Sequence, residues 1–260
     1  MTDIHPTALV ERGAKMGAGV RVGPYCVIGP EVELGDGVQI LSHVVVAGRT
    51  KIGARTKIYP FASIGHPPQD LKYKGEASEL LIGTDNTIRE QVTMNPGTEG
   101  GGMVTRVGNH CLFMVGAHVA HDCQVGDHVI LANNATLAGH VHIGEYAILG
   151  GLSAIHQFVR IGQGAIIGAV TMVTNDVIPY GLVQAPRGEL DGLNLVGLKR
   201  KGVSRADITA LRAAFQMMAQ GEGTFNDRVT RMGDETDSAY VKQIVDFVTA
   251  ASDRSFLTPH

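Results

Sequence analysis

Six of the 11 histidines fall between positions 118 and 156: His118, His121, His128, His140, His142 and His156. His121 is followed at once by Asp122. A histidine beside a carboxylate suits general-base work on a hydroxyl, because imidazole titrates near neutrality and the acid orients it. A backbone N–H that no side chain shields, as at a glycine, can stabilise the oxyanion formed when a carbonyl is attacked. Those parts together suit acyl transfer. Converging imidazoles can also hold Zn²⁺. A lone histidine on a polar face is commonly just solvated, which is how His128 and His142 read. Whether any of these groups meet depends on the elements that carry them.

Steps of six from Ile4 reach Val10, Met16, Val22, Ile28, Leu34, Ile40, Val46, Ile52, Ile58 and Ile64. The frame fails at Asp70 and Glu76, then resumes in phase at Ile82, Ile88 and Met94. A longer step leads to Val107, after which sixes run through Phe113, Val119, Val125, Leu131 and Leu137 to Val173. The fourth residue after each large apolar one is small or β-branched, as at Ala8, Ala14, Val20, Val38 and Thr56. The residue directly after it is often glycine, as at Gly17, Gly35, Gly53, Gly108 and Gly162. One large and one small inward position describe one flat side of a coil. Three such units close a triangular coil of 18 residues, and the coils stack as a parallel β-helix. About nine coils spaced by about 4.8 Å make a prism roughly 40 Å long. On this register Gly139 lies directly above His121, His140 lies above Asp122, and His156 follows one coil later near the same edge.

The repeat also explains the composition. The 260 residues include 34 Gly, 7 Phe and no Trp, yet 44% are hydrophobic, so the core is small and aliphatic. The frequent glycines are expected to serve the corners. Cys26, Cys111 and Cys123 all occupy the small inward slot and read as core fillers, neither nucleophiles nor a paired framework.

Two stretches leave the pattern. The polar, turn-rich segment 66–76 reads as a projecting loop. The glycine-rich segment 95–102 reads as a mobile loop, and no GK[ST] follows to make it a phosphate-binding P-loop. Loops on a rigid scaffold are where function tends to sit. After the repeat ends near Pro179, Ser204-Arg205-Ala206-Asp207 signals a helix start, with Ile208, Leu211, Phe215 and Met218 on one face. Segment 238–251 places Val241, Ile244, Val245 and Val248 at helical spacing. The expected organisation is a β-helix over 1–180, with loops near 66–81 and 95–106, and a helical part over 190–260 covering the last coil's open edge. Lys199, Arg200, Lys201, Arg205 and Arg212 cluster at the start of that part. The net charge of −3 gives no reason to expect nucleic acid or an anionic membrane surface as a partner. No run of about 20 apolar residues spans a membrane. The opening Met1-Thr2-Asp3-Ile4-His5 lacks a secretion signal's apolar core, so a cytoplasmic location is expected.

Several strings carry a more specific resemblance. Ala117-His118-Val119-Ala120-His121-Asp122-Cys123 and Ile130 to Val141, containing Asn133-Asn134 and Ala138-Gly139-His140, resemble the UDP-N-acetylglucosamine O-acyltransferase (LpxA) family. So do Gln69-Asp70-Leu71-Lys72-Tyr73, His156-Gln157-Phe158 and Gly197-Leu198-Lys199-Arg200. The resemblance covers nearly the whole chain. It implies a left-handed β-helix, the hand that ordinary right-handed crossovers would not suggest. It also implies transfer of an (R)-3-hydroxyacyl group from acyl carrier protein to the 3-hydroxyl of UDP-N-acetylglucosamine, the first step of lipid A synthesis. His121 would be the base, Asp122 its orienting partner, and Gly139 the oxyanion donor. His118, His140, His156 and Gln157 would line the nucleotide-sugar site with Asp70 and Lys72 from the first loop. Asn194 and Arg200 would reach uridine and phosphates across a subunit boundary of a homotrimer. Ala169 would limit acyl length, and no cofactor or metal is implied. The basic cluster would then meet an acidic carrier protein.

The chain departs from the family's pattern in places. Asn95-Pro96 stand where members often carry His-Arg, Val196 stands where some carry an acid, and Lys201 follows the Leu-Lys-Arg string. The methyl of Ala169 shortens the groove only slightly relative to glycine, so a medium-to-long donor is expected. Three alternatives remain open. The related N-acyltransferase of the same pathway carries an extra N-terminal uridine-binding domain, for which a first hexad at Ile4 leaves no room. A zinc enzyme of the β-helix carbonic-anhydrase type would need three histidines, but His118, His121 and His140 do not follow that spacing. A silent scaffold would not be expected to keep both His121 and Asp122.

Overall fold

A computed structural model describes residues 2–184, 189–252 and 254–259. The chain winds as the left-handed parallel β-helix that the resemblance implies, with faces of 11, 9 and 8 strands. Most strands are two residues long: Arg21–Val22, Val27–Ile28 and Glu33–Leu34 form the three sides of one coil. Coil stacks on coil in the register that the repeat sets, Arg21 on Gln39, Val27 on Val45 and Glu33 on Lys51. The inward aliphatic residues, among them Ile28, Ile58, Ile64 and Leu131, are fully buried. Burying each such side chain contributes about 1.5–3 kcal/mol. Cys26, Cys111 and Cys123 are buried fillers. Burial pushes the Cys111 thiol up to about 11 and the Cys123 thiol to about 12, so neither is a thiolate at neutral pH.

The corners give the glycines a more specific role. The glycines after the aliphatic residue do not make the turn. They clear the next coil, since a Cβ on Gly35 would lie 2.8 Å from the amide nitrogen of Ala54. The left-handed residue comes two positions later and is usually not glycine, as at Tyr25 (φ 59°), Asn134 (57°), Leu152 (59°) and even the β-branched Val170 (58°). That conformation costs about 1–2 kcal/mol for an L-residue. It is offset because it aims the N–H at the coil below: Asn134 donates to Val115 O at 2.9 Å and Leu152 to Asn133 O at 2.9 Å. The residue just before it needs no N–H for the ladder, and Pro24 and Pro60 occupy that place.

Both interruptions leave from the same corner, the one between the second and third faces. The chain departs after Ile64 and again, one coil up, after Met94. It rejoins the third face at Glu79–Ile82 and Val104–Val107, four-residue strands stacked on Arg49–Ile52. Residues 79–81 and 104–106, expected within the loops, are therefore strand, because the longer strand below offers them partners.

At the far end, Gly181–Gln184 continues the first face and Glu189–Leu193 pairs with it antiparallel, covering that edge. Four helices follow: α1 (Leu195–Arg200), α2 (Arg205–Ala219), α3 (Phe225–Glu235) and α4 (Ala239–Thr249). Ser204 caps α2 through the Asp207 amide at 3.0 Å. Helix α3, absent from the sequence expectation, begins with a Thr224–Asp227 capping box and buries Val229 and Met232. The tail is tied to the prism at Asp176. Its carboxylate accepts from Arg160 Nε at 2.7 Å and Ser252 Oγ at 2.7 Å, while the Arg160 guanidinium lies 4.7 Å from the Phe247 ring. Among the described residues no helix is long and apolar enough to cross a membrane.

Candidate active site

His121 and Asp122 occupy the corner from which both interruptions leave, one coil above the second. Asp122 is the left-handed residue of its turn (φ 60°), a conformation that aspartate tolerates better than most. Its N–H donates to Thr105 Oγ1 at 2.7 Å. The carboxylate is almost fully buried and faces His121, with Nδ1 2.8 Å from Oδ2. Thr98 donates to the same carboxylate from its N–H at 2.8 Å and its hydroxyl at 2.6 Å. A carboxylate surrounded by donors makes His121 Nδ1 a donor too, which leaves Nε2 to accept a proton.

Gly139 stacks on the His121 ring as the register requires. A Cβ there would lie 2.5 Å from Cε1 and 2.6 Å from Nε2. The Gly139 N–H belongs to the corner position that the ladder leaves free, and it has no hydrogen-bond partner among the described residues. Base and unshielded amide therefore share one spot on the surface, and acyl transfer needs both there.

The remaining histidines surround this pair. His140, also left-handed (φ 61°), meets the His121 ring edge-on at 5.0 Å and stacks on Phe158 at 4.4 Å. Burial holds its pKa below the ordinary value, opposed by Asp122 and more weakly by Asp70 of the first loop. His118 hydrogen-bonds Thr93 Oγ1 through Nδ1 at 2.6 Å, and burial followed by the nearby His121 lowers its pKa. His156 and Gln157 lie exposed one coil beyond Gly139, where Arg254 reaches them, 3.2 Å from His156 Nδ1 and 3.0 Å from Gln157 O. Lys72 is exposed on the first loop, where its amide donates to Asp70 Oδ1 at 2.9 Å. His121, Asp122 and His140 offer ligand atoms within 4.8 Å of one another, two imidazoles and a carboxylate in place of three histidines. The shared Asp122 oxygen is already engaged by His121 and Thr98.

Three residues fall elsewhere. Ala169 is exposed at the corner between the first and second faces. Asn194 is buried as the N-cap of α1, its amide committed to Gly164 O at 2.8 Å and to the Gly197 N–H at 2.9 Å. Arg200 is exposed at the end of α1, near the corner between the third and first faces, where Lys201 sits 3.3 Å above the Tyr146 ring. A groove of about 920 Å³ runs along the third face under α4, lined by Arg106, Gln124, His142 and Arg160, and it does not include His121 or Gly139.

The glycine-rich segment is not the mobile loop expected. It is pinned by Thr98 on Asp122, by the Gly97 N–H on Glu79 O at 3.2 Å, and by Asn95 Nδ2 on the His66 and Pro67 carbonyls. Thr93, Thr98, Thr105 and Arg254 were given no role in the sequence reading, and Phe158 none beyond its place in the His156-Gln157-Phe158 string. Carrying the register across the second interruption would have placed Thr93 beneath His118. Thr98 and Arg254 lie in aperiodic segments that carry no such signal.

Comparisons with known proteins agree with this architecture. Residues 176–257 match the second domain of UDP-N-acetylglucosamine O-acyltransferases, and residues 13–48 and 105–139 match bacterial transferase hexapeptide repeats. The acyl-[acyl-carrier-protein]--UDP-N-acetylglucosamine O-acyltransferase of Methylobacterium radiotolerans is 66% identical over 257 residues, 98% of this chain and 94% of that one. The enzyme of the same name from Rickettsia felis is 56% identical, covering 98% and 97%. The solved structure of LpxA from Acinetobacter baumannii superposes with a TM-score of 0.95 at 40% identity, covering 98% and 99%. Matching over nearly the whole length of both chains, in sequence and in fold, the protein belongs to the UDP-N-acetylglucosamine O-acyltransferase family.

Proposed function

We propose that this protein transfers an (R)-3-hydroxyacyl group from acyl carrier protein to the 3-hydroxyl of UDP-N-acetylglucosamine, the first step of lipid A synthesis, in the cytoplasm. The observation that carries this reading is the His121–Asp122 pair with the free Gly139 amide against its ring. His121 Nε2 takes the proton of the sugar hydroxyl as its oxygen attacks the thioester carbonyl. Asp122 steadies the imidazolium, and the Gly139 N–H holds the oxyanion. Collapse of that intermediate expels the carrier's thiol, which recovers the proton from His121. His118, His140, His156 and Gln157 line the sugar, with Asp70 and Lys72 from the first loop.

The positions of the other residues support a homotrimer. Ala169 and Arg200 lie at two further corners of the prism, so one substrate reaches them and His121 only if another copy supplies them. Asn194 serves best as the cap that aims α1, holding Arg200 toward the nucleotide. The first face also presents Leu112, Ile130, Ile148 and Ile166 outward in one stacked stripe, an apolar surface suited to a second copy. The exposed cations Lys199, Arg200, Arg205 and Arg212 favour an acidic carrier, whereas Lys201 is taken up by Tyr146.

An acyl-transfer assay with a panel of 3-hydroxyacyl carrier proteins and UDP-N-acetylglucosamine tests the reading. Medium-to-long donors should turn over fastest, as the single methyl at Ala169 suggests. Preference for the shortest donor would remove Ala169 from that role, and no turnover with any donor would end the proposal.

A further inference from the structure

Segment 95–103 is longer than the fold requires. The next turn of the same corner passes from Val119 to Gln124 through Ala120, His121, Asp122 and Cys123 alone. The extra residues of the coil below fold up over Asp122. They turn once as Glu99–Gly101, and Gly101 lies so close that a Cβ there would sit 2.0 Å from the carboxylate carbon. Only a glycine lets the backbone lie on that group. Thr98, itself 6% exposed, supplies two of the three donors that reach the carboxylate, and its hydroxyl shares Oδ2 with His121 Nδ1.

We infer that segment 95–103 is a positioning element for the reaction, with Thr98 holding the Asp122 carboxylate in the plane that orients His121. The inference rests on the base role proposed for His121. Both hydrogen bonds by which Thr98 reaches toward the base end on Asp122. Without its hydroxyl, Oδ2 keeps a single donor and the carboxylate can rotate away from the imidazole. A misoriented base slows the chemical step and leaves substrate binding intact.

Four variants test this: Thr98→Val, Thr98→Ser, Asp122→Asn and the Thr98→Val/Asp122→Asn double, each with full kinetics and a thermal midpoint. Thr98→Val should lower kcat about tenfold, the scale of one lost hydrogen bond to a charged group, with both KM values within about twofold. Thr98→Ser, which keeps the donor, should recover kcat to within about threefold of the parent. In the Asp122→Asn background the valine should change kcat less than about twofold, because the carboxylate that Thr98 positions for His121 is already gone. Should Thr98→Val lower the thermal midpoint, Thr98→Ala must show the same split between kcat and KM. Parental kcat in Thr98→Val beside a depressed Asp122→Asn overturns the role of Thr98 and spares the base assignment. Parental kcat in Asp122→Asn overturns the assignment on which both rest. Losses that simply multiply in the double variant also overturn the inference, since Thr98 would then act by another route.

Discussion

Stacked imidazoles line all three corners of this prism, and of the two richest in histidine only one is built for chemistry. Between the third and first faces, His110 stacks on His128 at 4.9 Å and His128 on Tyr146 at 4.6 Å, within 7° of parallel. Between the second and third faces, His140 stacks on Phe158 while His121 stands edge-on to it. Each corner also has an acid beside a histidine. In the first pair Asp127 precedes His128, so the histidine takes the outer, left-handed place and remains exposed. Its acid accepts from the Asn109 N–H at 2.7 Å and does not bond the ring. In the second pair the order is reversed. The acid takes the left-handed place, a loop from the coil below covers it, and the histidine is left against Gly139. An exchange of two neighbouring residues, with one insertion, separates a surface stack from a site.

That contrast is most directly broken by replacing the two histidines in turn. His121→Ala should lower kcat about 10³-fold, within the usual span for a lost general base. His128→Ala, measured in the same acyl-transfer assay, should stay within about twofold of the parent. A His121→Ala enzyme within tenfold of the parent, or a His128→Ala enzyme as impaired as His121→Ala, would erase the distinction. Gly139→Ala is the next largest effect. Its Cβ cannot stay 2.5 Å from His121 Cε1, so the ring or the oxyanion donor must move, at a cost of about 100-fold in kcat. Retained turnover there would show that the amide does not face the reacting carbonyl.

The smallest effect concerns pH at the reactive corner. His118 and His140 have pKa values pushed below the ordinary imidazole range, chiefly by burial. A depressed folded pKa means that the unfolded chain takes up protons first as pH falls below about 6.5. Stability is therefore full above that pH and declines below it, until the folded groups also protonate. Unfolding midpoints at pH 7.5 and 5.5 should differ, and His118→Gln should reduce the difference. An unchanged difference in His118→Gln would remove burial of that ring as its source.

Much of this was legible before any coordinates. Periodicity set the coil length, and the coil length stacked Gly139 on His121, because a ladder between identical coils admits a single register. It could not say which residue of a corner turns left-handed. That follows from where an N–H must point to reach the coil below, so the pattern placed the glycines at the corners without revealing that they serve clearance. The pinned state of segment 95–103 was equally unreadable. Its glycines signal freedom locally, and the buried carboxylate that removes that freedom lies a full coil away.

The sequence by itself determined the scaffold and its stacking, since both depend on repeated local choices that each neighbour reinforces. Tertiary structure alone decided that Thr98 covers Asp122, that Asn194 is a helix cap, and that Arg200 faces another edge than His121. Those contacts join aperiodic segments to the prism, and nothing in a six-residue pattern records where an interruption comes to rest.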